Sequence, residues 1–172
     1  AVASSVLLHA LLTHDFSIQY VAAFSDRSMP LFYLIGAFWG GQAGSLLFWT
    51  STVAISMSAC VYINRRSYQD FMPWVTAICL AVLSGLLLIL VFASNPFEGF
   101  SIIDDPIKGK GLNPLLQTPK MVMHPPSLLS GLATMTIPYA FAMAALITGN
   151  FSNAWVKAAR KWILVPWLFL SV

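Results

Sequence analysis

The sequence predicts an all-α, polytopic transmembrane helix bundle, and three observations support this fold class. Of its 172 residues, 58% are hydrophobic and only 9% are charged, whereas soluble domains carry about 25% charged residues. The mean hydropathy is +0.77. Three apolar runs are long enough to cross a bilayer, which takes about 20 residues per helix. So few charges cannot cover a soluble surface, and the chain is therefore expected to be integral to a membrane.

The three complete spans are expected over residues 45–63, 71–93 and 128–148. Pro138 removes a backbone donor from the middle of the third span and should bend it. The apolar runs at the two ends, residues 1–12 and the segment from Trp162 onward, are each too short to span. We therefore expect truncated spans at both ends, and a single membrane domain over residues 1–172 that is cut from a longer protein.

The segment before the first complete span is short, aromatic and then rich in glycine. Residues 30–39 are too short to cross a membrane, so they favour a helix in the interface or one packed on the spans. Gly40 and Gly44 have the GxxxG spacing that allows two helices to approach closely. Trp39 and Trp49 fit interfacial anchors, with stacking against a flat cofactor as the less favoured interpretation.

Basic residues set the expected orientation of the chain. The connector between the first two complete spans and the connector after the third hold an excess of cations, namely Arg65, Arg66, Lys157, Arg160 and Lys161. The connectors over residues 13–29 and 94–123 carry at least as many acidic as basic residues. Because cytoplasmic loops are enriched in Lys and Arg, residues 13–43 and 94–126 are expected to face the outside, the latter as an external loop; in a Gram-negative bacterium that side is the periplasm.

One polar stretch, GLNPLLQTPKMVMHPPSLL over residues 111–129, concentrates the residues that could carry chemistry. His124 is followed at once by Pro125 and Pro126, and proline suits the first turn of a helix. This places His124 where the external loop enters the third span. An imidazole there could bind a metal or a haem iron, move a proton, or have a structural role. Positions one turn away are Lys, Met, Ser and Leu, so a second ligand must come from elsewhere in the fold or from beyond Val172.

The remaining polar groups have plainer interpretations. Cys60 and Cys79 lie in apolar runs without a CxxC pattern and are expected to be small buried hydrophobes. His9 fits a helix end near the interface, and the adjacent Asp104 and Asp105 fit a turn. The chain shows no nucleotide-binding loop or zinc motif, and its basic residues form no cluster of the kind that binds nucleic acid.

Five blocks carry a resemblance to a known family: HDFSIQYVAAFSD, WGGQAGSLLFW, SNPFEGF, GLNPLLQTPKMVMHPP and IPYAFAMAAL, in this order. Together they resemble the N-terminal portion of the CcmF family, the haem-handling membrane proteins of bacterial cytochrome c maturation, whose NrfE and CcsA relatives share parts of the design. The resemblance implies that His124 is one of two external axial ligands of haem iron. This chain differs from the family at Ala43 in the WGGQAGSLLFW block, where the family commonly has an acidic residue. The difference argues against a charge-based role for this block.

The resemblance also implies a function for the intact protein. It would take b-type haem, held non-covalently and in transit, from a CcmE-like haem chaperone at the periplasmic face of the inner membrane. It would then join the haem to the thiols of apocytochrome c, delivered by a CcmH-like partner. The family's tryptophan-rich segment and second external histidine are expected beyond Val172. The intact protein is thus expected to be a haem lyase, and this part alone to be inactive.

Two functions of other classes remain open on the residues alone. A transporter or channel could use Pro138 to break a helix that lines a substrate path. That hypothesis requires a polar or charged lining at mid-membrane, and the three complete spans carry no Asp, Glu, Lys or Arg. A structural subunit of a respiratory membrane complex would make His124 an interfacial residue, with no haem bound to it.

Overall fold

The computed structural model describes residues 1–99, 109–150 and 153–171, and eight α-helices lie in this part of the chain. They are α1 (Val2–Thr13), α2 (Gln19–Phe24), α3 (Leu31–Gly36), α4 (Gln42–Asn64), α5 (Met72–Phe92), α6 (Pro119–Thr134), α7 (Thr136–Thr148) and α8 (Asn153–Leu170). Short 3₁₀ turns cover Ala37–Trp39 and Pro114–Leu116. An isolated β-bridge pairs Ile18 with Gly99. Asp104 and Asp105, for which the sequence predicts a turn, lie outside the described residues.

Three stretches are long and apolar enough to cross a membrane: α4, α5 and Val122–Thr148, which joins most of α6 to α7. The all-α class and the three complete spans are therefore confirmed. The third stretch is interrupted at Met135, between α6 and α7. Pro138 has no N–H for the carbonyl of Thr134, one turn earlier, so the interruption falls where the helix lacks a backbone hydrogen bond.

The chain divides into two compact units. Unit 1 contains residues 1–48 and 88–126, and unit 2 contains residues 49–87 and 127–172. The single membrane domain expected from the sequence stays a prediction. Unit 1 is built from short helices and loops, whereas unit 2 contains the larger parts of α4 and α5, with α7 and α8.

The core of unit 1 forms where α1 and α2 meet the 3₁₀ turn before α4. Leu7 and Leu11 of α1 and Val21 of α2 are each fully buried with Ala37. Helix α2 lies inside residues 13–29, which the sequence predicts as a connector. The sequence does not reveal this helix, because six residues are too few for a periodic pattern of apolar side chains. Ala43 packs against this core, so an uncharged side chain fits its surroundings.

Small residues form much of the core of unit 2. Three alanines of α7 and two of α8 are buried around Phe141: Ala140, Ala144, Ala145, Ala158 and Ala159. Small side chains let neighbouring helices approach closely, which is how helices associate in membranes. Cys60 and Cys79 lie in the same core as free thiols, each 1% exposed, which confirms them as buried hydrophobes.

Two helix boundaries differ from the prediction. Helix α6 begins at Pro119, so Pro125 and Pro126 lie inside the helix and their predicted place in its first turn is wrong. The physical reason is that Pro119 itself occupies the first helical position, which proline favours. Helix α8 begins at Asn153, so the cations of residues 157–161 lie on a helix and not in the expected connector.

Candidate functional site

Polar side chains and tight backbone contacts fix the loop before α6 in place. Asn113 accepts a hydrogen bond from the N–H of Leu115 at 3.0 Å and so caps the 3₁₀ turn that Pro114 opens. The side chain of Gln117 donates to the carbonyl of Leu112 at 3.0 Å. Leu112 itself is buried in the core of unit 1. The GLNPLLQ block therefore has a local structural explanation at each of its polar positions.

The same loop is attached to α2 through its backbone. The N–H of Lys110 donates to the carbonyl of Ala22 at 2.8 Å, and the N–H of Gly111 donates to that of Ser25 at 3.1 Å. Gly111 adopts a φ of 75°, which glycine accommodates without strain. At Gly109 a Cβ atom would overlap the carbonyl of Ser25. Glycine is therefore needed at both ends of this short contact.

His124 lies in the second turn of α6 and its side chain is exposed. Val122, two residues earlier, is 5% exposed and packs beside Gly36 on the inner side of the helix. Two residues along an α-helix turn the side chain by about 200°. The burial of Val122 therefore directs His124 away from the core. Pro125, only partly buried, returns to the core side.

The backbone of the His124 segment makes a specific side-chain contact. Because Pro126 has no N–H, the carbonyl of Val122 loses its usual partner four residues later. The indole Nε1–H of Trp39 donates to this carbonyl at 3.0 Å. Trp39 is itself held by Ser45, whose hydroxyl donates to the Trp39 carbonyl at 2.8 Å. An indole 83 residues away in the chain thus satisfies the acceptor that a proline leaves unpaired.

Glycines bring the two segments together at this contact. A Cβ atom on Gly36 would meet both methyl groups of Val122 at 3.1 Å, and one on Gly40 would meet Leu112 at 2.7 Å. Gly40, the first glycine of the predicted GxxxG pair, therefore allows the loop at Leu112 to approach, where the sequence predicts the approach of a helix. The two segments line a cavity of about 180 Å³, formed by Gly36, Trp39, Gly40, Leu112, Leu116, Val122 and Pro125. Pockets that enclose a drug-sized ligand measure about 300–1,000 Å³, so this cavity is too small for a porphyrin.

Tyr20 joins α2 to the junction between the 3₁₀ turn and α4. Its hydroxyl lies 3.0 Å from the carbonyls of Ala37 and Phe38, to which it can donate, and it accepts the N–H of Gly41 at 3.0 Å. Burial raises the pKa of this phenol far above its ordinary value, although the backbone N–H groups of Gly41 and Gly44 act in the opposite direction. Tyr20 is therefore a neutral structural group that fixes the Trp39 turn.

The three histidines occupy different environments. His9 is exposed on α1, and its carbonyl accepts the hydroxyl of Thr13 at 2.9 Å. His14 ends α1 in the left-handed conformation, with φ of 54°, and its ring meets Phe16 edge-on at 6.0 Å. Across residues 1–99, 109–150 and 153–171, no three His, Cys, Asp or Glu side chains form a group that could hold a metal ion. His124 therefore belongs to no such group.

Sequence reasoning missed Tyr20 and the role of Trp39. A signal for Trp39 did exist, since a proline inside a helix leaves an acceptor unpaired four residues earlier. Applied to Pro126, this rule identifies the carbonyl of Val122 as the group that needs a donor. The identity of the donor depends on the tertiary fold.

Comparisons with known proteins agree on one family. Residues 39–172 match the family model described as cytochrome C assembly protein. The chain is 37% identical over 167 residues to the cytochrome c-type biogenesis protein CcmF of Escherichia coli, and 34% identical over 172 residues to that of Haemophilus influenzae. These alignments cover 97% and 100% of this chain but only 26% of each relative.

A solved structure gives the same result. The solved structure of a cytochrome c heme lyase CcmF matches this chain with a TM-score of 0.75 and 26% sequence identity. The match covers 98% of this chain and 26% of that chain. The chain therefore spans about a quarter of the length of the relatives that it matches.

Proposed function

The chain belongs to the cytochrome C assembly protein family, and from that premise we propose that the intact protein matures c-type cytochromes by holding haem at the outer membrane face. His124 is the residue that we assign to this task, as an axial ligand of the haem iron. The observation that carries the proposal is its exposure on a fixed helix. An exposed imidazole can bind iron through a ring nitrogen without displacing a buried group.

The small cavity beside Trp39 limits how haem could bind. Since it is too small for a porphyrin, the macrocycle would rest against the surface of α6 and receive the rest of its pocket from outside these residues. The second axial ligand would also come from outside them. Haem is then a b-type, non-covalent substrate in transit, and this quarter of the protein supplies one of its two ligands.

The proposed reaction joins haem to apocytochrome c. Each of two cysteine thiols adds across a vinyl group of the haem, so that a C–S bond forms and the thiol hydrogen ends on the other vinyl carbon. The addition consumes no oxidant or reductant. The protein would act mainly by positioning the two reactants, which can supply about 7–11 kcal/mol of the barrier.

The proposal places the reaction on the periplasmic side of the bacterial inner membrane. The cations on α8 and on the α4–α5 connector would face the cytoplasm, which puts residues 13–43 and 94–126 in the periplasm. Haem would arrive from a CcmE-like chaperone. Apocytochrome c would arrive reduced from a CcmH-like partner, and the exposed loop before α6 is a surface for these contacts.

The test replaces His124 in the full-length protein. We expect His124→Ala to reduce covalent cytochrome c, measured by haem stain, and haem that copurifies, measured by its optical spectrum. Each should fall by about tenfold or more, since loss of even a residue that supports a metal ligand costs about 10–100-fold in affinity. Imidazole in the growth medium should restore part of both signals by occupying the vacated ligand position. His9→Ala is the matched control, because His9 is also an exposed helical histidine, and it should leave both signals unchanged.

Two results would overturn the assignment. Wild-type haem content and wild-type cytochrome yield in His124→Ala would remove His124 as a ligand. Equal losses in His124→Ala and His9→Ala would attribute the effect to general instability of the protein.

A further inference from the structure

The indole N–H of Trp39 makes a side-chain hydrogen bond to the backbone of the His124 segment. It satisfies the carbonyl of Val122, which Pro126 leaves without its helical partner. This carbonyl belongs to the helical turn that presents His124. The direction of the His124 side chain is therefore coupled to a tryptophan on a different segment of unit 1.

The donor is itself held firmly. The carbonyl of Trp39 accepts the hydroxyl of Ser45 at 2.8 Å. Its ring lies edge-on to Phe48, with the ring centroids 5.8 Å apart. The hydroxyl of Tyr20 bonds to the same 3₁₀ turn through the carbonyl of Phe38. A rigid indole can fix the acceptor that it binds, which a mobile side chain could not do.

The fit between the two segments leaves little freedom. Gly36 allows the side chain of Val122 to approach within 3.1 Å of the place where a Cβ atom would lie. The segment that includes Trp39 therefore contacts Val122 twice, by packing at the side chain and by a hydrogen bond at the carbonyl. The two contacts together set both the position and the rotation of the α6 turn.

We infer that Trp39 is a positioning residue for His124, and that its N–H, more than its bulk, sets the direction in which the imidazole meets the haem iron. This inference rests on the proposed function of His124. It assigns Trp39 a role through the backbone of α6, with no contact between the indole and the haem.

The proline provides the decisive test. Pro126→Ala restores a backbone N–H that can bond to the carbonyl of Val122 within the helix, and so makes the indole donor dispensable. Trp39→Phe keeps an aromatic ring but removes the N–H. If the N–H matters, Trp39→Phe should weaken haem binding in the native background and have little effect in the Pro126→Ala background.

The experiment measures haem affinity in the full-length protein by optical titration. We expect Trp39→Phe to lower the affinity about fivefold, the size that loss of one hydrogen bond to a part-buried acceptor predicts, and to alter the spectrum of the bound haem. The double variant should return to the affinity of Pro126→Ala alone. Trp49→Phe is the matched control, since Trp49 is a half-buried tryptophan in the other unit, and it should match the wild type.

A second readout needs no haem. Hydrogen–deuterium exchange of the haem-free protein should be faster across residues 119–130 in Trp39→Phe than in Trp49→Phe, and Pro126→Ala should remove the difference. This measurement separates the inference from the proposed function. If His124→Ala retains haem but the exchange pattern appears, the proposed function fails and the coupling of Trp39 to α6 stands.

Two outcomes would overturn the inference. Wild-type haem affinity and exchange in Trp39→Phe, with haem lost in His124→Ala, would leave His124 as a ligand but remove Trp39 from its positioning. An equal loss from Trp39→Phe in both Pro126 backgrounds would show that the ring acts through its bulk.

Discussion

The hydrogen bonds described inside unit 1 differ in kind from those described inside unit 2. In unit 1, side-chain hydrogen bonds join segments that are distant in sequence, as between Trp39 and Val122 and between Tyr20 and the turn before α4. In unit 2, Asn64 and Thr134 bond to carbonyls of their own helices, one turn earlier. Among the hydrogen bonds described for these residues, unit 1 thus adds side-chain bonds between distant segments to its apolar core, whereas those of Asn64 and Thr134 in unit 2 are local.

This difference fits the tasks proposed for the two regions. Helices that only cross a bilayer need backbone hydrogen bonds within each helix and apolar side chains outside. A segment that presents a ligand needs a fixed direction, which hydrogen bonds define more sharply than apolar contact. His124 belongs to unit 1, so the proposed chemistry lies in the unit where these longer-range hydrogen bonds are described.

The largest expected effect contrasts one glycine from each unit. A Cβ atom on Gly44 would overlap the carbonyl of Phe38 and the ring of Tyr20, whereas one on Gly85 in α5 would meet nothing within 4 Å. Gly44→Ala should lower the stability by about 3 kcal/mol or more. Gly85→Ala should stay within about 1 kcal/mol of the wild type, in the stabilising direction. Thermal unfolding of both variants in detergent measures this, and similar melting temperatures would contradict the comparison.

A smaller effect is expected at Tyr20. Tyr20→Phe removes the hydroxyl that bonds to the Trp39 turn and should cost about 1–3 kcal/mol, because buried backbone groups lose their partner. Tyr62→Phe is the matched control, since Tyr62 is 67% exposed in unit 2, and it should be neutral. Equal losses of stability in the two variants would show that the hydrogen bonds of the Tyr20 hydroxyl do not stabilise unit 1.

The same tyrosine predicts a dependence of stability on pH. Burial raises the pKa of Tyr20 above its value in the unfolded chain, which is about 10. The stabilisation from the neutral phenol is therefore fully present below pH of about 10 and is lost as the pH rises above it. A pH series of unfolding midpoints should show a shallower alkaline loss in Tyr20→Phe than in the wild type. Parallel curves for the two proteins would exclude Tyr20 as the source.

Much of this fold could be predicted from the sequence, because membrane helices can be identified by the length and hydropathy of their apolar runs. The second span was expected over residues 71–93 and is observed at Met72–Phe92. The start of α6 could not be predicted in the same way. Pro119 is a helix-start signal, but Pro125 and Pro126 look like a second start, and only tertiary contacts decide between the two.

The sequence points to His124 as a candidate ligand, which stays a prediction, but it does not point to the contacts that hold its segment. His124 stands out because a loop, a histidine and two prolines precede an apolar run. The carbonyl left unpaired by Pro126 follows from the sequence, but its donor lies 83 residues earlier in the chain. Local patterns carry no information on such a pairing, since it depends on how Gly36 and Gly40 allow two segments to meet.

The most direct test of His124 as a haem ligand is the reduction potential of haem bound to the full-length protein with His124→Met. Replacing one axial histidine by methionine raises the potential of a haem, because the thioether favours the ferrous state. If His124 ligates the iron, haem should still be bound to the variant, with a changed spectrum and a potential more positive than that of the wild type. A bound haem with wild-type spectrum and potential would show that His124 does not ligate the iron.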